Sequence, residues 1–142
     1  MPKSSMFVHL IWSTKNRKPL INKDLKTELL NFIESYCKEN AIKIVAINCV
    51  EDHIHILISL GTGQMVAKIV RLIKGSSSFW VNKNNLSKIK FEWQTSYISV
   101  SLSLTSVSKV KQYISNQEEH HRKVTFQEEY DKFIKGYGLQ EE

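Results

Sequence analysis

Glu51-Asp52-His53-Ile54-His55-Ile56-Leu57-Ile58-Ser59-Leu60 is the stretch from which the rest of the chain can be read. Its apolar residues alternate strictly, which predicts a β-strand. Ile54, Ile56, Ile58 and Leu60 fall on one face, and His53, His55, Leu57 and Ser59 on the other, because successive side chains point to opposite sides of a strand. The isoleucine face is built to bury against helices. The other face presents two imidazoles side by side. Charged together they would repel, whereas neutral imidazoles hold a divalent metal well. A His-x-His pair supplies two ligands, so a third has to come from elsewhere in the chain.

Upstream, residues 42–50 are a β-branched run, and Glu51-Asp52 is a tight turn, so the two strands are expected as an antiparallel hairpin. Residues 24–38 carry an apolar stripe (Leu25, Leu29, Phe32, Ile33, Tyr36, Cys37) at helical spacing. Residues 6–13 read as a buried strand containing His9, taken here as a satisfied core histidine. After it comes Thr14-Lys15-Asn16-Arg17-Lys18-Pro19, a basic loop that fits phosphate contact or a plain solvated connection. Downstream, Gly61-Thr62-Gly63 breaks the histidine strand, and Thr62 is a candidate cap for a second helix. Lys74-Gly75-Ser76-Ser77-Ser78 sits within that helix although Gly and Ser are weak helix formers. It suits close approach of a ligand or tight helix–sheet packing. Residues 91–104 hold the fourth strand.

The resulting order, β-α-β-β-α-β and then helices, is the α+β ferredoxin-like pattern. It predicts an antiparallel sheet with helices on one face and the histidine face left open for a ligand. Ser106 is expected to cap a third helix running from 107 to about 121. Thr125-Phe126-Gln127-Glu128 is a capping-box sequence that starts a fourth, over 125–135. Its apolar face would be Phe126, Tyr130, Phe133 and Ile134, with Gly136 and Gly138 ending it before an acidic tail. On the third helix Tyr113 and Gln117 are four apart and share one flank, beside the stripe of Val107, Val110 and Ile114, with His120 and His121 one turn further on. If that flank meets the histidine strand, the Gln117 amide oxygen can be the third metal ligand and the Tyr113 hydroxyl the nucleophile. A phenol is about 3 pH units from ionised at neutrality, so it needs a polarised target, which a divalent metal on a phosphate provides.

Composition narrows the classes. The chain of 142 residues, 42% hydrophobic, suits one compact unit spanning 1–142. Its formal charge of +6 suits an anionic partner, most simply nucleic acid. Cys37 and Cys49 lack Cys-x-x-Cys spacing and read as buried free thiols of a reducing compartment. No apolar signal core and no membrane-spanning stretch is seen, so a cytoplasmic protein is expected. There is no Walker-type phosphate loop, which argues against ATP-driven chemistry.

Taken together, several fragments resemble the single-tyrosine HUH transposases of small insertion sequences. They are His-Leu-Ile-Trp-Ser-Thr-Lys-Asn-Arg-Lys-Pro at 9–19, Asp-His-Ile-His-Ile-Leu-Ile at 52–58, Lys-Gly-Ser-Ser-Ser at 74–78, Trp-Gln at 93–94, Ser-Val-Ser at 99–101 and Tyr-Ile-Ser-Asn-Gln-Glu-Glu-His-His at 113–121. The resemblance implies His53 and His55 as metal ligands, Gln117 as an added ligand and Tyr113 as the nucleophile. It implies Mg²⁺ or Mn²⁺ as cofactor. The implied substrate is single-stranded DNA with hairpin-bearing element ends, contacted by Lys15, Arg17 and Lys74. It also implies a homodimer, in which the tyrosine helix of one subunit serves its own site or its partner's. The chain departs from the family wording at Thr95-Ser96-Tyr97-Ile98 and at Leu102, in the loop before the catalytic helix. Two other readings stand beside the transposase: a domesticated relative that processes chromosomal repeats, and a non-catalytic single-strand-binding module. The last predicts exposed aromatics on an open sheet face.

Overall fold

The computed structural model describes residues 2–137, without the side chains of His121, Arg122, Phe133 and Tyr137. Four antiparallel strands, β1 (Phe7–Ser13), β2 (Lys43–Cys49), β3 (His53–Ser59) and β4 (Ile98–Leu102), lie in the order β2-β3-β1-β4. Helices α1 (Lys23–Glu39) and α2 (Val66–Lys83) supply the crossovers. Three C-terminal helices follow: α3 (Val107–Ser115), α4 (Gln117–Lys123) and α5 (Phe126–Tyr137). The ferredoxin-like expectation is met. The expected acidic tail, Gly138 included, and the Phe133 side chain lie outside the described residues.

One face of the sheet makes the main core. Leu10 and Trp12 of β1 and Ile54, Ile56 and Ile58 of β3 pack against Leu29 and Ile33 of α1 and Ile73 of α2. Every one of these side chains is 0 or 1% exposed. At 1.5–3 kcal/mol for each fully buried apolar side chain, this face dominates the stability. Strand β2 departs from plain alternation. A bulge between Ile44 and Ala46 brings Ile44 and Ile47, three residues apart, onto the same apolar face.

The opposite face is not open. His9, Ile11, His53, His55 and Leu57 are all at most 3% exposed. Phe126 of α5 packs on Ile11, Ile98 and Val100, and α3 lies over β2 and β3. The reason is the alternation of β4: Ile98 and Val100 are buried between exposed or half-buried serine and leucine positions. They create a second apolar strip that the amphipathic α5 covers.

Local expectations fared unevenly. Thr125 and Glu128 form the reciprocal capping box, with Glu128 N–H donating to Thr125 Oγ1 and Thr125 N–H to Glu128 Oε1. Helix α2 begins after Met65, not at a Thr62 cap, and Ser106 makes no side-chain cap bond to α3. The expected continuous helix 107–121 divides at Asn116 (φ −95°, ψ 19°) into α3 and α4. Gly136 lies inside α5, not at its end. The serine run in α2 is a packing device: Ser77 is fully buried, accepts from Trp93 Nε1 at 2.9 Å and donates to the Ile73 carbonyl at 2.6 Å.

Candidate metal centre and nucleophile

The Val50–His53 hairpin turn places His53 at the start of β3, where Val50 N–H donates to His53 O at 3.0 Å. His53 lies opposite Ser13 and His55 opposite Ile11, so both rings project from the face that α3–α5 cover. Each imidazole is held by its Nδ1. The His53 Nδ1 is 2.8 Å from Asp52 Oδ1, and a carboxylate only accepts, so that nitrogen carries the proton. The His55 Nδ1 is 2.9 Å from His9 Nε2. With the proton on His55 Nδ1, both Nε2 atoms are left with lone pairs aimed at the same space. Orientation of a ligand histidine through its other nitrogen is how metal sites commonly set ring and tautomer.

Helices α3 and α4 bring the remaining groups. Asn48 of β2 lies opposite His55 and donates through Nδ2 to the carbonyls of Ile114 (2.9 Å) and Ser115 (3.3 Å). It thereby satisfies groups the α3 C-terminus would otherwise leave bare. The helix is clamped with Tyr113 beside His55, their ring centroids 5.6 Å apart and edge-on. One turn later Gln117 is fully buried, with Oε1 at 3.3 Å from His53 Nε2. His53, His55, Tyr113 and Gln117 therefore converge within a single chain.

A fifth residue, absent from the sequence reading, joins them. Glu129 of α5 is 2% exposed. Its Oε2 accepts from Tyr113 Oη at 2.6 Å and is 3.0 Å from His120 Nε2. Its Oε1 is 2.8 Å from His55 Nε2 and 3.7 Å from His53 Nε2. The contact with His55 is close but not directional: neither His55 Nε2 nor Glu129 Oε1 has a hydrogen-bond partner, although both are buried. Ligand atoms of His53, His55 and Glu129 all lie within 4.8 Å of one another. Buried acceptors facing one another without a proton between them are costly unless a cation joins them. Two imidazole nitrogens, a carboxylate oxygen and an amide oxygen fit a divalent ion of the Mg²⁺/Mn²⁺ type or a softer one. The signal for Glu129 was in the sequence only as an acidic residue in the first turn of a capped helix, which is ordinary.

Burial shapes the titration of these groups. It pushes His9 down from 6.5 to about 3, helped by His55 and opposed by Glu129. It also pushes His55 down, against the pull of Glu129. For Glu129 burial acts upward, but its contacts with His55, Tyr113 and His53 outweigh it and hold the carboxyl at about 2. At neutral pH His9 and His55 are therefore neutral imidazoles near an ionised Glu129 carboxylate.

The proposed DNA-contact residues are placed differently from one another. Lys15 and Arg17 sit on a 3-10 turn, Lys15–Arg17. Lys15 pairs with Glu92 at 3.3 Å, and Arg17 Nη1 donates to Gln127 Oε1 of α5 at 2.6 Å. Lys74 is turned to the other side of the sheet. Its Nζ donates to the carbonyls of Gln94 and Ser96, each at 2.8 Å, and lies 5.5 Å over Trp12. Burial lowers it to about 8. It also lines a groove of about 980 Å³ along α2 that contains none of the groups around His53.

Comparison with known proteins identifies the family and the fold. The family model described as "Transposase IS200 like" matches residues 2–117. The ISDra2 transposase TnpA of Deinococcus radiodurans is 24% identical over 114 residues, covering 77% of this chain and 81% of that protein. A crystal structure of a candidate transposase from Deinococcus radiodurans superposes with a TM-score of 0.66 at 24% identity, covering 82% of this chain and 98% of that one. A REP-associated tyrosine transposase bound to a REP hairpin superposes with a TM-score of 0.63 at 16% identity, covering 84% of this chain and 70% of that one. The matched segment contains the histidine pair, Tyr113 and Gln117, and on that evidence the chain belongs to the IS200-like transposases, HUH tyrosine nucleases that use a single tyrosine.

Proposed function

We propose that this transposase cleaves and rejoins single-stranded DNA at insertion-sequence ends through a covalent bond between Tyr113 and a 5′-phosphate. The observation that carries the reading is the convergence of Tyr113 with His53, His55 and Gln117 in one buried pocket. His53, His55 and Gln117 are the proposed holders of a Mg²⁺ or Mn²⁺ ion. When bound, that ion supplies Lewis acidity to the scissile phosphate and offsets the charge that builds on it. Tyr113 Oη forms a bond to phosphorus as the bond from phosphorus to the 3′-oxygen breaks. The phenol proton leaves, and the 3′-oxygen gains one to become a free hydroxyl. The phosphotyrosine keeps the phosphoester bond, so the reverse attack by a 3′-hydroxyl rejoins strands without ATP.

A relative of the same fold is bound to a DNA hairpin. A hairpin-bearing single strand is accordingly the proposed substrate, with Lys15 and Arg17 on the turn after β1 as phosphate contacts. A Lys74 contact would come at the expense of the two carbonyls it now holds. A second copy of the chain is the proposed partner, with each site served by its own tyrosine, since one chain assembles the whole set. The non-catalytic reading needs aromatics on an open sheet face, and here that face is covered.

The test uses labelled single strands from the element ends with Mn²⁺. An adduct that survives denaturation is expected with wild type and is lost in Tyr113→Phe. An adduct that persists in Tyr113→Phe rules out the nucleophile.

A further inference from the structure

Glu129 stands between the nucleophile and the imidazole pair. One carboxylate oxygen accepts from Tyr113 Oη at 2.6 Å, and the other is 2.8 Å from His55 Nε2. A phosphodiester attacked by Tyr113 has to make the same two sets of contacts, to the attacking oxygen and to the cation held by the histidines. Glu129 already makes both sets, in the place such an anion would take. Glu129 is 2% exposed, and Phe126, three residues earlier on α5, closes over His53 at a ring separation of 4.8 Å. The carboxylate and the substrate phosphate therefore compete for one position.

The same carboxylate is fitted to the cation. Its Oε1 and the His55 Nε2 are, with Trp12 Nε1, the buried side-chain atoms that lack a hydrogen bond among the described residues, and these two face each other. An ion at the histidine pair would satisfy both at once. The element that carries Glu129 lies beyond the segment matched to the family, which ends at residue 117. Among the described residues it is held by Phe126 and Tyr130 on the second apolar strip, by the Arg17–Gln127 hydrogen bond and by Glu129 itself.

We propose that Glu129 is a ligand of the resting cation site that the scissile phosphate replaces, with α5 carrying it out of the pocket. This rests on the cation site described under the proposed function. Without DNA, Glu129 adds a charged ligand and raises affinity for the ion. With DNA, it has to leave before Tyr113 can reach phosphorus.

The experiment compares full-length wild type, Glu129→Gln, Glu129→Ala and the double variant His53→Ala/His55→Ala, each checked for folding by circular dichroism. Binding of Mn²⁺ alone is followed from the electron paramagnetic resonance signal of the free ion. Adduct formation is then timed at saturating Mn²⁺ with single-stranded element ends. Both Glu129 variants are expected to bind Mn²⁺ at least about tenfold more weakly, by analogy with the loss seen when even outer partners of a metal site are removed. At saturating Mn²⁺ they are expected to form adduct several-fold faster than wild type. Wild-type Mn²⁺ affinity in both variants overturns the ligand assignment, and slower adduct formation overturns the replacement. If the double histidine variant binds Mn²⁺ like wild type, the cation site itself falls and takes this inference with it. Loss in the histidine variant but not in the Glu129 variants sinks the Glu129 assignment alone.

Discussion

At His55 the two ring nitrogens have separate tasks. Nδ1 meets His9 Nε2 at 2.9 Å and Nε2 faces the pocket. His9 lies opposite Leu57 on the neighbouring strand, 3% exposed, with its ring edge-on to Tyr113 at a centroid distance of 6.3 Å. With the proton on His55 Nδ1, His9 Nε2 accepts it and so keeps His55 Nε2 bare. Replacing it should weaken the metal site without touching a ligand: His9→Phe is expected to lower Mn²⁺ affinity by about tenfold. His9→Gln, which keeps an acceptor at that depth, should recover most of it. Equal affinities in the two variants would show that His9 only fills space. From sequence, a histidine in an apolar strand reads as core, and His9 is core. What the sequence does not carry is the diagonal across two strands that joins it to His55.

At the scale of elements, the tyrosine helix depends on an asparagine of another strand. Asn48 donates to the last carbonyls of α3, and α3 ends there because Asn116 turns the chain. Asn48→Ala should destabilise the protein by about 1 kcal/mol, the usual net worth of a hydrogen bond. Amide exchange should quicken in α3 well before it does in β1 or β3. Uniform quickening across the sheet would argue against a local clamp. The division of 107–121 into two helices was not legible from periodicity, since the apolar stripe of α3 and the buried Gln117 are nearly in phase. It takes the anchored carbonyls at Ile114 and Ser115 to set the break at Asn116. The hairpin of β2 and β3, the capping box and the extent of α1 were legible, each resting on neighbours within one turn or one strand pair.

For the molecule as a whole, acid should be damaging. His9 has a folded value near 3 against 6.5 when free. Its contribution is complete above about pH 6.5 and is lost as pH falls toward 3, because the unfolded chain takes up a proton that the folded chain refuses. His55 is pushed in the same direction. Glu129 is held near 2 against 4.5, so its contribution also fades toward acid, below about pH 4.5. Metal-free protein should therefore lose thermal stability on going from pH 7 to pH 4.5, with His9 contributing up to about 1.4 kcal/mol per pH unit. In His9→Phe the slope in that window should be shallower. An unchanged slope would mean that His9 is not buried as a neutral ring.

The amino-acid order alone determined the four strands and the antiparallel hairpin and singled out the histidine pair, tyrosine and glutamine as candidates, because those signals are local alternation, turn chemistry and fixed spacing along a helix. Only the tertiary structure decided that the histidine face is covered, that Asn48 clamps the tyrosine helix, and that Glu129 enters the pocket. The last two depend on residues 66 to 76 positions apart in the chain meeting through the packing of α3 and α5 on the sheet. A single acidic residue near a helix start carries no mark that distinguishes a solvated carboxylate from one turned into a buried site. The difference lies in the second apolar strip of Ile11, Ile98 and Val100, which draws Phe126 down and takes Glu129 in with it.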